Sequence, residues 1–287
     1  MIEIKEIKTH SGYASGIGRV MRLPRIPLQN LRAGFELSYK GGTAMLELQH
    51  VSFAVDTQKD DQKEIVRDIS LTIGNGKFVV ITGPNGGGKS TLAKLISGIE
   101  IPSSGKILLD GIDITGMSIT ERARLGIGFA FQQPVRFKGI RVLDLLRIAS
   151  GSDISTLEGC NYLSEVGLCA KDYIEREVNS SLSGGELKRI EIATVLARRT
   201  KLSVFDEPEA GIDLWSFQNL IRIFEKLQTE NKDNTIVVIS HQERILKIAD
   251  EIIVLKDGKV LKMGDKRDIL PDIIGTEAAV DTCHKLQ

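Results

Sequence analysis

Nine residues, from Gly83 to Thr91, constrain the fold of this chain more than any other feature, because they read GPNGGGKST. They match the pattern G-x-x-x-x-G-K-[ST] of a phosphate-binding loop. An apolar run, Phe78–Ile81, precedes the loop, and a helical pattern, Leu92–Ser97, follows it, as the pattern requires. Glycines let the backbone wrap closely around phosphates, and the helix N-terminus adds positive potential. The pattern predicts a strand, a phosphate-binding loop and a helix in succession.

Two side chains of the loop carry its chemistry. Lys89 supplies a positive charge to the β and γ phosphates of a nucleotide, and the Ser90 hydroxyl is a candidate ligand of Mg²⁺. The residues predicted to contact the nucleotide are Gly83, Pro84, Asn85, Gly86, Gly87, Gly88, Lys89, Ser90 and Thr91.

A pair of carboxylates, Asp206 and Glu207, follows the apolar run Leu202–Phe205. An acidic pair after a strand is usually a surface or capping feature, but the phosphate-binding loop changes that interpretation. Strand ends of a parallel sheet meet at the crevice where ligands bind. We therefore predict that Asp206 holds Mg²⁺ through water and that Glu207 orients and deprotonates the attacking water.

Short β-branched runs alternate with helical patterns from Met45 onward, which predicts an α/β fold with parallel strands. Buried strands are expected at Phe78–Ile81, Leu202–Phe205, Ile236–Ile239 and Ile252–Leu255. The strand signal stops between about residues 134 and 181, so a helical subdomain at about 134–190 is expected within a domain spanning 45–270. Residues 271–287 are predicted to be a C-terminal tail.

Residues 1–44 differ from the rest, with seven Lys and Arg against three Glu, a net charge of +4. This extension is interpreted as an upstream start, an artificially added segment or a disordered basic tail.

The whole chain has 38 basic and 38 acidic residues, so no nucleic-acid partner is indicated. Its apolar runs are far shorter than the about 20 residues of a membrane span. Three scattered Cys indicate reduced thiols and a cytoplasmic location, membrane-peripheral only through a partner.

Four further elements resemble the ATP-binding-cassette (ABC) family. Leu182–Glu186 reads LSGGE, which is similar to the family's LSGGQ signature, and it lies before the acidic strand. Gln132, the D-loop-like Ala210–Asp213, and His241 after a strand complete the set in the family's order. The resemblance covers about residues 45–264 and implies a P-loop cassette fold with a mixed sheet, an N-terminal antiparallel β part and an inserted helical subdomain.

The resemblance also implies an ATPase that acts as a head-to-tail dimer with a second copy or a homologous cassette. In such a dimer, Ser183, Gly184 and Gly185 of one subunit cover the ATP on the other's phosphate-binding loop. Gln132 senses Mg²⁺ and the attacking water, and His241 contacts the γ-phosphate. Asp213 acts across the interface. The implied cofactors are ATP and Mg²⁺.

Two positions depart from the family's pattern. Val55 stands where an aromatic residue usually stacks on adenine, so base stacking is expected to be weak. Phe53, two residues earlier on the same strand face, is a poorer substitute. Glu186 replaces the usual Gln of the signature.

The sequence constrains less strongly which branch of the ABC family this chain resembles. Only 117 residues separate Lys89 from Asp206, which excludes ATPases with long coiled-coil arms. Segments 129–135, 183–189 and 241–246, with Val55, look closer to the ATPase of SUF-type iron–sulfur cluster assembly, which would act on scaffold proteins. Pro208 fits instead the alternative, an energising subunit bound to a membrane permease. A nucleotide-switched binding module with slow hydrolysis is a third hypothesis.

The partner is expected to dock on the helical insert and on residues 135–146.

Overall fold

The computed structural model describes residues 44–56, 62–179, 181–230 and 234–274. All of them belong to one compact unit, Gly41–Gln287. The predictions for residues 1–43 and 275–287 lie outside the described residues. The domain boundaries at 134, 190 and 270 stay predictions.

The described ranges contain ten strands and eight helices. The strands are β1 (Ala44–Asp56), β2 (Gln62–Gly74), β3 (Phe78–Thr82), β4 (Ser104–Leu109), β5 (Ile112–Asp113), β6 (Ile127–Ala130), β7 (Leu202–Asp206), β8 (Thr235–Ile239), β9 (Glu251–Lys256) and β10 (Lys259–Asp265). The helices are α1 (Lys89–Ser97), α2 (Ile119–Arg124), α3 (Val142–Ser150), α4 (Thr156–Glu165), α5 (Ala170–Tyr173), α6 (Gly184–Ala197), α7 (Leu214–Glu230) and α8 (Glu243–Ile248). The four strands and the helical pattern at 142–146 predicted from sequence are confirmed.

The strands form two sheets. An antiparallel sheet has the order β2-β1-β4-β5, and a six-stranded sheet has the order β10-β9-β3-β8-β7-β6. Within the second sheet, β9, β3, β8, β7 and β6 are parallel and β10 is antiparallel. The predicted fold class, a mixed-sheet α/β cassette with an antiparallel N-terminal part, is therefore confirmed.

Strand β3 lies between β8 and β9 and is buried on both faces. Its side chains alternate, so that Phe78 and Val80 enter one hydrophobic core and Val79 and Ile81 enter the other. Helix α1 packs in the second core, while α6 and α7 pack in the first. The phosphate-binding loop thus begins at the end of a buried strand that lies between the two cores.

Helix α6 is buried on more than one side. Besides Leu187, Ile190 and Ala197, its buried residues include Ile192, Ala193 and Val195. The physical reason is that α6 packs against α3, α4 and β6. A helix covered by neighbours on several sides is apolar around most of its circumference.

No helix among the described residues is long and apolar enough to cross a lipid bilayer.

Arg122 holds the C-terminal end of α1 from within the core. Its side chain is fully buried, and its guanidinium donates to the carbonyls of Leu95 (2.5 Å), Ile96 (3.0 Å), Thr115 (2.9 Å) and Met117 (3.1 Å). Burial lowers the pKa of this guanidinium from its usual value. A positive charge at a helix C-terminus satisfies carbonyls that lack intrahelical partners.

We expect Arg122→Met to destabilise the protein by about 3 kcal/mol, because it leaves several buried carbonyls without donors. Denaturant unfolding measures this change. The control is Arg124→Met, at an exposed position of the same helix α2. Equal unfolding midpoints for the two variants would contradict the anchoring role.

Candidate active site

The phosphate-binding loop joins β3 to α1 and needs glycine at defined positions. Gly83 has φ 133° and Gly88 has φ 94°, in the region that favours glycine. A Cβ on Gly83 would lie 1.9 Å from the Leu255 carbonyl oxygen, and one on Gly88 would lie 2.9 Å from that of Ile65. Gly88 is also the N-cap residue of α1. The loop is therefore pressed against β9 and β2, with the N-terminus of α1 at its end.

Lys89 folds back over the loop that carries it. Its Nζ donates to the carbonyl oxygens of Gly83 (2.8 Å) and Pro84 (3.0 Å), and its side chain is buried. Burial lowers the pKa of Lys89, while the charges of Glu207 and Asp206 act in the opposite direction. The ammonium therefore lies in the field of both carboxylates predicted from the second motif.

Ser90 and Asp206, 116 residues apart in sequence, meet at the end of β7. The Ser90 hydroxyl donates to Asp206 Oδ1 at 3.0 Å. Asp206 is only 3% exposed, and desolvation raises the pKa of its carboxyl group. A hydroxyl and a buried carboxylate side by side are the oxygen ligands that Mg²⁺ prefers, and the cation would offset the cost of burying the charge. Both residues fit the predicted metal site.

Glu207 receives contacts from two other strand ends. Gln132 Nε2, just beyond β6, donates to Glu207 Oε2 at 2.5 Å, and His241 Nε2, just beyond β8, lies 3.3 Å from Glu207 Oε1. The three predicted catalytic residues are therefore together. Gln132 was also predicted as a metal ligand; its Nε2 is the atom bonded to Glu207, and the role of its amide oxygen toward Mg²⁺ stays a prediction.

The backbone at Glu207 is strained. Its φ is 44°, a left-handed conformation that costs about 1 kcal/mol or more for a residue with a side chain. The amide of Glu207 donates to the Ile239 carbonyl at 3.0 Å, which holds this turn against β8. Such strain is common at functional sites, and here it coincides with the carboxylate that Gln132 and His241 contact.

A buried ion pair on α6, Lys188 with Glu191, was missed by the sequence analysis. The two groups lie 3.2 Å apart, and Lys188 is 1% exposed. Glu191 Oε1 accepts from the Phe131 amide at 2.8 Å, and Lys188 Nζ donates to the Phe131 carbonyl. Desolvation raises the pKa of Glu191. The pair holds the peptide next to Gln132, and its only sequence signal is two opposite charges three positions apart among apolar residues.

Glu209 is a second missed residue. Its Oε1 accepts from the hydroxyl of Ser240 at 2.5 Å, and Ser240 is fully buried. Burial raises the pKa of Glu209. This contact joins Glu209, which precedes the D-loop-like segment Ala210–Asp213, to Ser240, which precedes His241.

The signature residues begin helix α6. Ser183 is the N-cap, its Oγ accepts from the Glu186 amide (3.3 Å), and Glu186 Oε2 accepts from the Ser183 amide (2.6 Å). The Tyr173 hydroxyl also donates to Glu186, and these bonds lower the pKa of Glu186. Glutamate in place of the usual Gln therefore completes a capping box and places negative charge at a helix N-terminus.

Ser183 and Gly184 are exposed, and Gly185 is half-buried. Within the described ranges, no hydrogen bond joins these three residues to the phosphate-binding loop. The structure thus brings together the phosphate-binding loop, Asp206, Glu207, Gln132 and His241, but leaves the signature as a separate helix N-terminus facing outward.

Asp213 caps helix α7. Its carboxylate accepts from the amides of Trp215 and Ser216, each at 3.0 Å, and from the Ser216 hydroxyl at 2.6 Å. These bonds lower the pKa of Asp213. The role of Asp213 across an interface stays a prediction.

The two candidate residues for the adenine site lie on β1, and the role of Phe53 as a substitute for the aromatic residue stays a prediction. The register of β1 against β2 shifts between Phe53 and Ala54, with the extra residue on β2. Phe53 packs partly buried against the second core, while Val55 is exposed.

The sequence and the fold of this chain are similar to those of known proteins. The family model described as ABC transporter matches residues 66–210. An uncharacterised ABC transporter ATP-binding protein of Methanocaldococcus jannaschii is 38% identical over 215 residues, covering 72% of this chain and 85% of that protein. The probable ATP-dependent transporter ycf16 of Cyanidium caldarium is 32% identical over 240 residues, covering 78% and 91%.

Among solved structures, the ATP-binding cassette MJ0796, determined as a dimer in a post-hydrolysis state with ADP and Pi, superposes with a TM-score of 0.70. It is 25% identical, and the match covers 77% of this chain and 99% of that one. The fold, the family model and the relatives agree. This chain belongs to the ABC transporter family and is an ATP-binding cassette that hydrolyses ATP.

Proposed function

We propose that this chain is the energising subunit of an ABC transporter, which hydrolyses ATP between two head-to-tail cassettes and transmits the resulting motion to a membrane permease. The proposed hydrolysis of ATP is supported by one observation above all: Gln132 and His241 both contact Glu207, beside the Ser90–Asp206 pair. The transporter part is supported by the family model and by the names of the relatives.

Glu207 is the general base in this proposal. It accepts a proton from the water whose oxygen attacks the γ-phosphorus, while the bond from that phosphorus to the bridging oxygen of ADP breaks. Gln132 and His241 fix the two carboxylate oxygens, so that the base is held in place before the reaction begins. Lys89 and the loop amides bind the phosphates. Ser90 and Asp206 would hold Mg²⁺, which supplies positive charge to the phosphate oxygens when bound.

The second half of the site is proposed to come from a partner cassette. Ser183, Gly184 and Gly185 form an exposed helix N-terminus, which suits an anion. A second copy of this chain, placed head to tail, would lay this N-terminus over the nucleotide held by Lys89. The dimeric state of the similar cassette supports this arrangement.

The permease is proposed to dock on the face that follows Gln132. Val135 is exposed there, as is Phe131 just before Gln132, and Phe137 and Leu145 pack partly buried against the core. Because Lys188 and Glu191 hold the Phe131 peptide, a force on this face would reach Gln132 directly.

SUF-type iron–sulfur cluster assembly is the second candidate. It is supported by the resemblance of segments 129–135, 183–189 and 241–246 and by the exposed Val55 in place of an aromatic residue. This candidate would have soluble scaffold proteins as partners.

Co-purification separates the two candidates. We expect the tagged full-length chain, extracted in detergent from its native cells, to carry an integral membrane protein with it. Val135→Asp should weaken this association, whereas Ile101→Asp, at an exposed residue outside the docking face, should not. Recovery of soluble scaffold proteins without a membrane protein would overturn the transporter proposal in favour of cluster assembly. Similar turnover with and without any partner would favour a nucleotide-switched module.

A further inference from the structure

A buried ion pair on α6 binds both backbone groups of one exposed residue, Phe131. Glu191 Oε1 accepts from the Phe131 amide at 2.8 Å, and Lys188 Nζ donates to the Phe131 carbonyl. The two side chains lie 3.2 Å apart, and their exposed fractions are 1% for Lys188 and 13% for Glu191. Because opposite charges on the same face of one helix bind the amide and the carbonyl, the backbone of Phe131 is fixed relative to α6.

The stability of the fold does not by itself explain this pair. Burying two charges costs desolvation free energy, and apolar side chains of similar size often replace a buried ion pair without loss of stability. Helix α6 already buries Leu187, Ile190 and Ile192 in the first core. A charge pair among these apolar residues, with both charges bound to one backbone, is better explained by the position that it gives to that backbone.

The backbone that follows Phe131 has no other fixed point for several residues. Phe131 is the first residue after β6, which ends at Ala130. Among the described residues, no backbone group of residues 132–136 forms a hydrogen bond, and the next bond of the loop joins the Phe137 amide to the Val178 carbonyl at 2.8 Å. The ion pair is therefore the contact that sets where the backbone of the next residue begins.

That next residue is Gln132, whose Nε2 donates to Glu207 Oε2 at 2.5 Å. We propose that Lys188 and Glu191 are positioning residues for ATP hydrolysis: by fixing the Phe131 backbone, they keep Gln132 in contact with the general base. The inference rests on the proposed roles of Glu207 and Gln132 and adds the pair that holds Gln132 in place. A displacement of about 1 Å at a catalytic group can lower the rate about 100-fold, so loss of the pair should change turnover.

An apolar replacement of the pair tests the proposal in the full-length chain. Lys188→Met together with Glu191→Leu removes both charges at once, so no unpaired charge is left buried and the fold should persist. Without any partner protein, turnover should fall about 10–100-fold, while the dissociation constant for ATP should change by no more than about twofold. Arg141→Gln with Asp144→Asn is the matched control, because it removes an exposed ion pair with the same spacing at the start of α3. The control should change neither quantity.

A double-mutant cycle shows whether the pair acts through Gln132. Gln132→Ala removes the contact with Glu207. Adding Lys188→Met and Glu191→Leu to this variant should therefore lower turnover by no more than about a further twofold. A general loosening of the structure would instead lower turnover by the same factor in both backgrounds, and equal factors would overturn the proposal.

Hydrogen exchange tests the contact without any substitution. In the unaltered chain, the Phe131 amide should exchange at least about tenfold more slowly than the Gln133 amide, after correction for their intrinsic rates. Glu191 accepts from the first amide, and the second has no hydrogen-bond partner in the part of the chain that the structure describes. Equal protection of the two amides would overturn the inference, even if the apolar variant failed to fold.

Failure of this inference is distinguishable from failure of the proposed function. Native turnover in the folded apolar variant, with a large loss from Gln132→Ala, would overturn the positioning role alone. Native turnover in Gln132→Ala would show that hydrolysis does not need Gln132, so the proposed mechanism would lose that contact and this inference would be wrong with it.

Discussion

Replacing Glu207 with Gln is expected to lower the rate of ATP hydrolysis by about 10²–10⁴-fold, the range that a positioned general base contributes. The amide of Gln cannot accept a proton from water, yet it has nearly the same shape as the carboxyl group it replaces. ATP affinity should change little, because the phosphates are held by Lys89 and the loop amides. The variant should therefore accumulate as an ATP-bound closed dimer. Single-turnover hydrolysis and equilibrium nucleotide binding measure the two effects separately.

Glu209→Gln is the matched control for this experiment. It makes the same chemical change two residues away, at a carboxyl group that is bonded to Ser240. We expect a much smaller loss of turnover from it. Hydrolysis by Glu207→Gln at the native rate, or equal losses from the two variants, would contradict the assignment of the base.

The parts of the fold that were predictable from sequence are those with local signals. β3, the phosphate-binding loop and α1 were predictable because the glycines, the Lys and the flanking apolar runs are contiguous. β7 and the carboxylates at and just after its end, Asp206 and Glu207, were predictable for the same reason. The convergence of Gln132, Glu207 and His241 was predicted only through the resemblance to the family, and the structure brings these three residues into contact.

Contacts between distant segments were not predictable. Lys188 and Phe131 are 57 residues apart, and Arg122 and Leu95 are 27 apart. In sequence each of these charges looks like an ordinary solvated residue, and only the fold shows that it is buried and bonded to backbone groups. The shift of register between Phe53 and Ala54 was likewise not predictable, because it depends on which residues of β2 lie opposite them.

Lys89→Ala is expected to weaken ATP binding by about 10–100-fold, since a hydrogen bond to a charged group contributes about 1.5–3 kcal/mol. Lys89 is the cation of the loop itself, and its Nζ donates to the carbonyl oxygens of Gly83 and Pro84 in that loop. Its loss would also remove the positive charge that interacts with the carboxylates of Asp206 and Glu207. Titration with a fluorescent ATP analogue measures the affinity.

The dissociation constants for ATP and for adenosine separate phosphate binding from base binding. Because the loss should arise at the phosphates, Lys89→Ala should reduce ATP affinity strongly and adenosine affinity little. Lys106→Ala, at an exposed position on β4, should leave both unchanged. Unchanged ATP affinity in a folded Lys89→Ala variant would contradict the role of the loop. With Val55 exposed in place of the usual aromatic residue and Phe53 partly buried against the second core, base stacking is expected to be weak, so we expect the phosphates to carry an unusually large share of the binding energy.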